Sequence, residues 1–205
     1  MTRRYLALGD SYTIGEGVGA EDRWPVRLAA ALRSSGIPID EPRIIARTGW
    51  TTGELLEAMA NTSPRLPADH DLVTLLIGVN DQYRGHGVDT YRSAFETLLA
   101  RAVELGADDC RRVVVVSIPD WSVTPFARSD PRGRPAIAAE IDTFNTVAQR
   151  LAIAAGAAFV HVTADSRRAA RDASLLAPDG LHPSASMYES WMQLIFPAAR
   201  HALSV

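Results

Sequence analysis

A small set of polar positions in this sequence has the makings of nucleophilic acyl chemistry. Ser11 offers a hydroxyl, and His182 an imidazole to take its proton. Asp179, three residues before His182, can accept from the imidazole N–H and stabilise the imidazolium that forms. The Ser11 N–H, the Gly49 N–H and the side-chain amide of Asn80 can donate to an oxyanion. Glycine at position 49 lets the backbone approach a substrate with no Cβ in the way. Each residue also has an ordinary structural use. Asp10 and Ser11 can form a turn or cap a helix, Asp179 and His182 can occupy a surface turn, and Gly49 and Asn80 can serve loops. Where the chain places them decides between the two.

Alternating elements position these residues. An apolar run at residues 5–8 ends abruptly in Gly9-Asp10-Ser11, as a buried strand does where glycine permits a sharp exit. Residues 44–46 read as a second strand, followed by Arg47-Thr48-Gly49-Trp50. Residues 72–77 form an apolar run with β-branched members, as suits a strand covered on both faces, and stop at Gly78-Val79-Asn80-Asp81. Strands four and five are expected at 113–116 and 158–162. Apolar residues at helical spacing predict helices over 24–35, from a Thr51 or Thr52 cap to Met59, from 89 or 90 to 105, over 136–155, and from 184 or 186 to 203. Ser186-x-x-Glu189 fits a capping box for the last of them. With no repeat, linker or low-complexity tract, this alternation predicts one domain, residues 1–205, built on a parallel sheet between helices. The strand ends carrying Ser11, Gly49 and Asn80 then share one edge, the edge at which open sheets bind ligands.

Two loops stand apart. Gly15-Glu16-Gly17-Val18-Gly19-Ala20 nominally fits G-x-G-x-x-A but lies too far past the first strand for a dinucleotide fingerprint, and reads as a flexible loop. Residues 119–135 are rich in Pro, Gly, Ser and Arg and long enough to suspect function. Trp121 and Phe126 in that loop are candidates to border a substrate, and Arg128, Arg132 and Arg134 to favour an anionic one. Tyr12, Trp50 and Tyr83 are further candidate substrate contacts. His70, His86, His161 and His201 have no carboxylate at a telling spacing, although His86 sits in a loop that could touch substrate. Asp10 and Asp81 read as structural.

Gly9-Asp10-Ser11-Tyr12, Gly49, Gly78-Val79-Asn80-Asp81 and Asp179-Gly180-Leu181-His182-Pro183 resemble the four blocks of the GDSL, or SGNH, hydrolases, in the family's order. Tyr12 stands where the family name has leucine, which reshapes the pocket without removing a catalytic group. The resemblance implies a flavodoxin-like, three-layer α/β/α fold with a five-stranded parallel sheet in the order 2-1-3-4-5. It also implies hydrolysis of esters or thioesters without a metal or other cofactor.

Composition excludes several classes. A net charge of −3 gives no electrostatic footprint for nucleic acid or an anionic membrane. The single cysteine, Cys110, rules out an intrachain disulfide framework and a multi-cysteine metal site. Apolar runs are too short for a signal peptide's core or a membrane span, so the expectation is a soluble, cytoplasmic protein. The residues point to a serine esterase with a small-molecule ester substrate, of short- to medium-chain acyl or O-acetyl type. Thioesterase, lysophospholipase and acyltransferase chemistry stay open beside it. A flavin- or nucleotide-binding module is the rival from another class; it would need a phosphate cradle after strand one, where Asp10 is unfavourable.

Overall fold

The computed structural model describes residues 2–204. A five-stranded sheet has the order β2-β1-β3-β4-β5, with every neighbouring pair parallel. Its strands are β1 (Tyr5–Gly9), β2 (Arg43–Ala46), β3 (Leu72–Leu76), β4 (Val113–Val116) and β5 (Ala158–Val160). The three central strands are buried at every position and the two edge strands half-buried. That is why Leu72-Val73-Thr74-Leu75-Leu76 and the four valines of β4 carry no alternation of polar and apolar residues: helices cover both faces. The one hydroxyl in β3, Thr74 Oγ1, is satisfied by Tyr5 Oη at 3.1 Å.

The helices are α1 (Ser11–Ile14), α2 (Trp24–Ser34), α3 (Thr52–Ala60), α4 (Val79–Tyr83), α5 (Val88–Leu105), α6 (Arg134–Ala155), α7 (Thr163–Ser166) and α8 (Ala185–Ala202). On one face α2 packs against α8; on the other α5 lies between α3 and α6. Trp24, Leu28, Trp191 and Ile195 are fully buried on the first face, and Tyr91, Leu98, Ile137 and Ile141 on the second. A flavodoxin-like α/β/α sandwich results. The chain leaves β1 towards β2 on one side and returns to β3 on the other, so a crevice opens between β1 and β3 at their C-terminal ends.

Expected boundaries hold with local differences. The long helix before β4 starts at Val88, with Gly87 as its N-cap, so neither Asp89 nor Thr90 opens it. The 119–135 loop contains two turns of 3-10 helix, 121–123 and 125–129, and α6 begins inside its expected end. β5 stops at Val160, which leaves His161 beyond the strand. The capping box at Ser186 and Glu189 is not made. Ser184 is the N-cap of α8, and Glu189 instead meets Arg27 of α2 at 2.5 Å, an ion pair across the α2–α8 contact. The capping box that does form is at α3. Thr51 Oγ1 accepts from the Glu54 N–H at 3.3 Å, and Glu54 Oε2 accepts from the Thr51 N–H at 2.8 Å.

Gly78 shows how tightly β3 turns into α4. Its φ is 123°, and an added Cβ would lie 2.7 Å from the buried Tyr91 ring. Gly53, inside α3, has nothing within 4 Å of the same position. Gly78→Ala should therefore destabilise the fold by about 2–4 kcal/mol through overpacking and backbone strain. Gly53→Ala should stabilise it by about 0.5–1 kcal/mol through helix propensity. Thermal unfolding of the two variants side by side checks this; melting temperatures that move together would show that the Gly78 turn has room to give.

Candidate active site

Ser11 begins α1 directly beyond β1. Asp10 caps this one-turn helix, its Oδ1 accepting from the Tyr12 N–H at 3.0 Å, and Gly15 closes it in the left-handed region at φ 70°. The capping use of Asp10 and the presentation of Ser11 thus belong to the same turn. Ser11, Gly49, Asn80 and His182 line one cleft of about 120 Å³. Asp179 lies behind His182.

The Asp179–His182 segment is held by its own backbone. The Ala177 N–H donates to the His182 carbonyl at 2.7 Å and the Ser184 N–H to the Leu175 carbonyl at 2.9 Å, while Gly180 takes the positive φ of 69° at the tip. Asp179 Oδ1 accepts from the Leu181 and His182 N–H groups, both at 2.9 Å, and Oδ2 accepts from His182 Nδ1 at 2.6 Å. Partial burial pushes the Asp179 carboxyl up, but the bonds from the His182 ring and these two N–H groups outweigh it and hold its pKa below the usual value. With its Nδ1 proton engaged by Asp179, the neutral ring carries its lone pair on Nε2. The Tyr12 ring packs against the imidazole with centroids 5.5 Å apart, so Tyr12 supports His182 as well as lining the cleft. Among the described residues Ser11 Oγ makes no hydrogen bond to His182. Such contacts in a free enzyme are often long and tighten when substrate binds.

The glycine-rich stretch after α1 is packed against this segment. Gly17 sits at φ 85°, and an added Cβ would be 2.6 Å from Ala177 Cβ, with Asp179 Oδ2 and His182 Cβ just beyond. The stretch expected as a flexible loop is therefore a spacer that lets the histidine segment close on the serine turn.

Gly49 and Asn80, the oxyanion candidates beside Ser11, come from the ends of β2 and β3. The Arg47–Trp50 turn closes with the Trp50 N–H donating to the Arg47 carbonyl at 3.2 Å, and Gly49 takes φ 85° in it. Asn80, at the start of α4, donates one Nδ2 hydrogen to the Trp50 carbonyl at 2.9 Å and keeps the other. The expectation for Trp50 needs correction: its ring packs against the hydrophobic core and does not line the cleft, and the residue contributes a carbonyl. Tyr83, Trp121 and Phe126 do line it, in mutual contact with centroids 5.5–5.9 Å apart. Trp121 is buried and donates Nε1 to Gln82 Oε1 at 2.8 Å, whereas Tyr83 and Phe126 are 47% and 45% exposed and form a rim. Two of the three loop arginines serve the protein itself. Arg132 forks onto Asp130 and reaches Glu140, Arg134 donates to the Thr124 carbonyl, and none of the three lines the cleft.

The remaining histidines lie elsewhere. His70 is buried against the Leu105 carbonyl, His161 meets Gln149, and His201 is exposed on α8. His86 does have a carboxylate neighbour, Asp81 Oδ1 at 3.4 Å, brought close by the turn after α4. Asp81 is structural, as expected: its Oδ2 accepts from the Thr52 N–H and hydroxyl at 2.8 and 3.0 Å, tying the exit of β3 to the start of α3. Gln82 and Arg84 were not singled out by sequence. Their signal is spacing, since both share a short helical turn with Asn80.

A family model described as GDSL-like Lipase/Acylhydrolase matches residues 7–189. The chain belongs to the GDSL-like lipase/acylhydrolase family. In general terms it is a hydrolase acting on esters. Members of this fold are recognisable among solved structures at low identity. A lipase/acylhydrolase from Enterococcus faecalis is 22% identical with a TM-score of 0.74, each chain covered to 97%. The lipase Lip_vut3 from a goat rumen metagenome is 21% identical with a TM-score of 0.77, over 96% of this chain and 97% of the other. The esterase EstA from Pseudoalteromonas sp., in a structure inhibited by monoethylphosphonate, is 17% identical with a TM-score of 0.69, over 99% of this chain and all of the other. No curated protein matches the chain in sequence. No helix among the described residues is long and apolar enough to cross a membrane, and no group of three or more His, Cys, Asp or Glu side chains is placed to hold a metal ion.

Within this GDSL-like fold the Asp10 carboxyl is completely buried, and Oδ2 has no protein partner. Desolvation, with the nearby Asp81 adding to it against the Tyr12 N–H, raises its pKa to about 8 from the usual 3.8. The folded chain therefore holds a proton here that the unfolded chain loses near 3.8, so the contribution of Asp10 to stability falls as pH rises from about 4 to 8. Asp10→Asn keeps the capping oxygen and removes the titration. It should flatten that fall, as read from denaturant unfolding across the range; identical slopes in both proteins would mean that Asp10 is ionised in the folded state.

Proposed function

We propose that this protein is a serine esterase of the SGNH type that cleaves a compact, neutral carboxylic ester through an acyl-enzyme on Ser11. Ser11 Oγ attacks the ester carbonyl while His182 Nε2 takes its proton, and Asp179 stabilises the imidazolium without itself taking the proton. The carbonyl electron pair moves onto oxygen, where the Ser11 N–H, the Gly49 N–H and the free Asn80 Nδ2 hydrogen receive it. Collapse breaks the bond to the alcohol, which leaves with the proton from His182; water then repeats the sequence in reverse roles and frees the acid. Side chains and backbone amides supply every group these steps require, with no metal or cofactor.

The observation that carries this reading is the 2.6 Å Asp179–His182 contact behind a cleft that His182 shares with Ser11 and Asn80. Substrate type follows from the walls. Val79, Leu181, Tyr83, Trp121 and Phe126 offer apolar surface, and no charged side chain lines the cleft. Its volume of about 120 Å³ is small beside the roughly 300–1,000 Å³ of drug-sized pockets, which favours short acyl groups, acetyl among them.

A serine-directed phosphonate, the inhibitor class seen in the Pseudoalteromonas esterase, tests the nucleophile. Wild-type protein should be labelled at Ser11 and lose activity, while Ser11→Ala should be inert and as stable as wild type. Labelling of the variant at the wild-type rate would sink the assignment.

Asn80→Ala should lower kcat by about 10²–10³, roughly 2.7–4 kcal/mol, with a modest change in KM, because an oxyanion donor acts mainly in the transition state. Asn80→Asp should do no better, since an ionised carboxylate repels an oxyanion. Near-wild-type kcat for Asn80→Ala on a panel of esters would make Asn80 a structural residue. On that panel Trp121→Ala and Phe126→Ala should reorder preference among acyl or alcohol groups; an unchanged order in both would place the substrate away from the aromatic wall.

A further inference from the structure

The backbone turn that carries Gly49 is held at two successive carbonyls, and the partners are Asn80 in α4 and Arg84, the residue that caps α4. Asn80 Nδ2 donates to the Trp50 carbonyl at 2.9 Å, and Arg84 Nη2 donates to the Gly49 carbonyl at 2.6 Å. Asn80 and Arg84 are four residues apart, a spacing that puts helical side chains on one side. The Arg84 N–H itself donates to the Asn80 carbonyl at 3.0 Å, closing the helix. The second arm of the guanidinium, Nη1, reaches Glu54 Oε1 at 3.3 Å. Glu54 is fixed in turn by the Thr51 N–H, whose bond is the main reason its carboxyl is held below the usual pKa.

From this geometry we infer that Arg84 is a positioning residue for the oxyanion site, setting the Gly49 N–H against the Asn80 amide. The inference rests on the serine-esterase reading above. Glycine has wide backbone freedom, and Gly49 has no side chain to limit it. Beside Gly49 the structure is open: an added Cβ would meet only Arg84 Nη2, at 3.7 Å. Pinning the Gly49 carbonyl restricts rotation of that residue, and with it the direction of the N–H on its other side. Arg84 does not line the cleft, so it acts through Gly49 and not on substrate. Its ion pair with Glu54 is 43% exposed on both sides and contributes little to stability. A structural role and a positioning role therefore separate in experiment.

Arg84→Ala and Arg84→Lys are compared with wild type using a short-chain aryl ester, a boronic acid that forms a tetrahedral serine adduct, and thermal unfolding. Arg84→Ala should lose about 10–100-fold in kcat with KM within two-fold, less than the loss of a direct donor. Boronic acid affinity should weaken in parallel and the melting temperature should stay within a degree or two. Arg84→Lys, which keeps charge but has no fork to span Gly49 and Glu54, should fall between wild type and Arg84→Ala. Millimolar guanidinium should restore part of the activity of Arg84→Ala and none of Asn80→Ala. A kcat within two-fold of wild type overturns the inference, as does a rise in KM alone, which would make Arg84 a substrate contact. A kcat loss matched by a large drop in melting temperature overturns it too. Phosphonate labelling of wild-type Ser11 is run alongside: if that fails, the serine-esterase reading has failed, whereas normal labelling with an unaffected Arg84→Ala removes only the role given to Arg84.

Discussion

The register of β1 against β3 is the constraint on which the site depends. Gly9 lies opposite Leu76, so the two strands end level, and Ser11 and Asn80 emerge on either side of the crevice. Gly9 is required there because a Cβ would run into Thr13 and the Leu76 carbonyl. A one-residue slip would reverse the faces of every side chain in the slipped strand, and the fully buried pattern of both strands gives it no tolerable alternative. Once the strands are level, the serine turn and α4 need no long loops to meet.

Other contacts then work on short lever arms. Asp179 holds its histidine from three residues away, Asp10 caps the turn that begins with Ser11, and Asn80 and Arg84 reach one turn after β2. The burial of Asp10 acquires a meaning in this setting. A carboxyl that keeps its proton to about pH 8 places no negative charge next to the serine, where one would oppose the build-up of an oxyanion.

Much of this was legible from sequence, for physical reasons that differ by element. The central strands announced themselves because burial on both faces leaves only apolar side chains, as in Val113–Val116. Asp179 and His182 could be paired because three residues of a tight turn suffice to join them. Long-range partners were not legible. Glu189 stood at capping-box spacing from Ser186, yet Arg27 across the helix contact claims it. Trp50 looked like a substrate contact from its neighbours, but the local turn sends its ring to the core and its carbonyl to Asn80. Gly17 looked mobile because nothing in its own stretch reveals that Ala177 packs against it. The arginines of the 119–135 loop advertised charge, but Asp130, Glu140 and a backbone carbonyl absorb two of them.

The aromatic wall also gives the protein an optical reporter. The chain has four tryptophans, and of these only Trp121 lines the cleft. Trp24 and Trp191 are fully buried on the opposite face of the sheet and Trp50 packs against the core, so none of the three forms part of the cleft wall. Trp121 lies 5.5 Å from the exposed Tyr83 ring and 5.5 Å from the Arg132 guanidinium carbon over its own ring, a polar and polarisable environment. Displacing water from that wall changes the surroundings of one indole out of four. Occupancy of the cleft should therefore register in the intrinsic fluorescence, with no chromogenic substrate and no label.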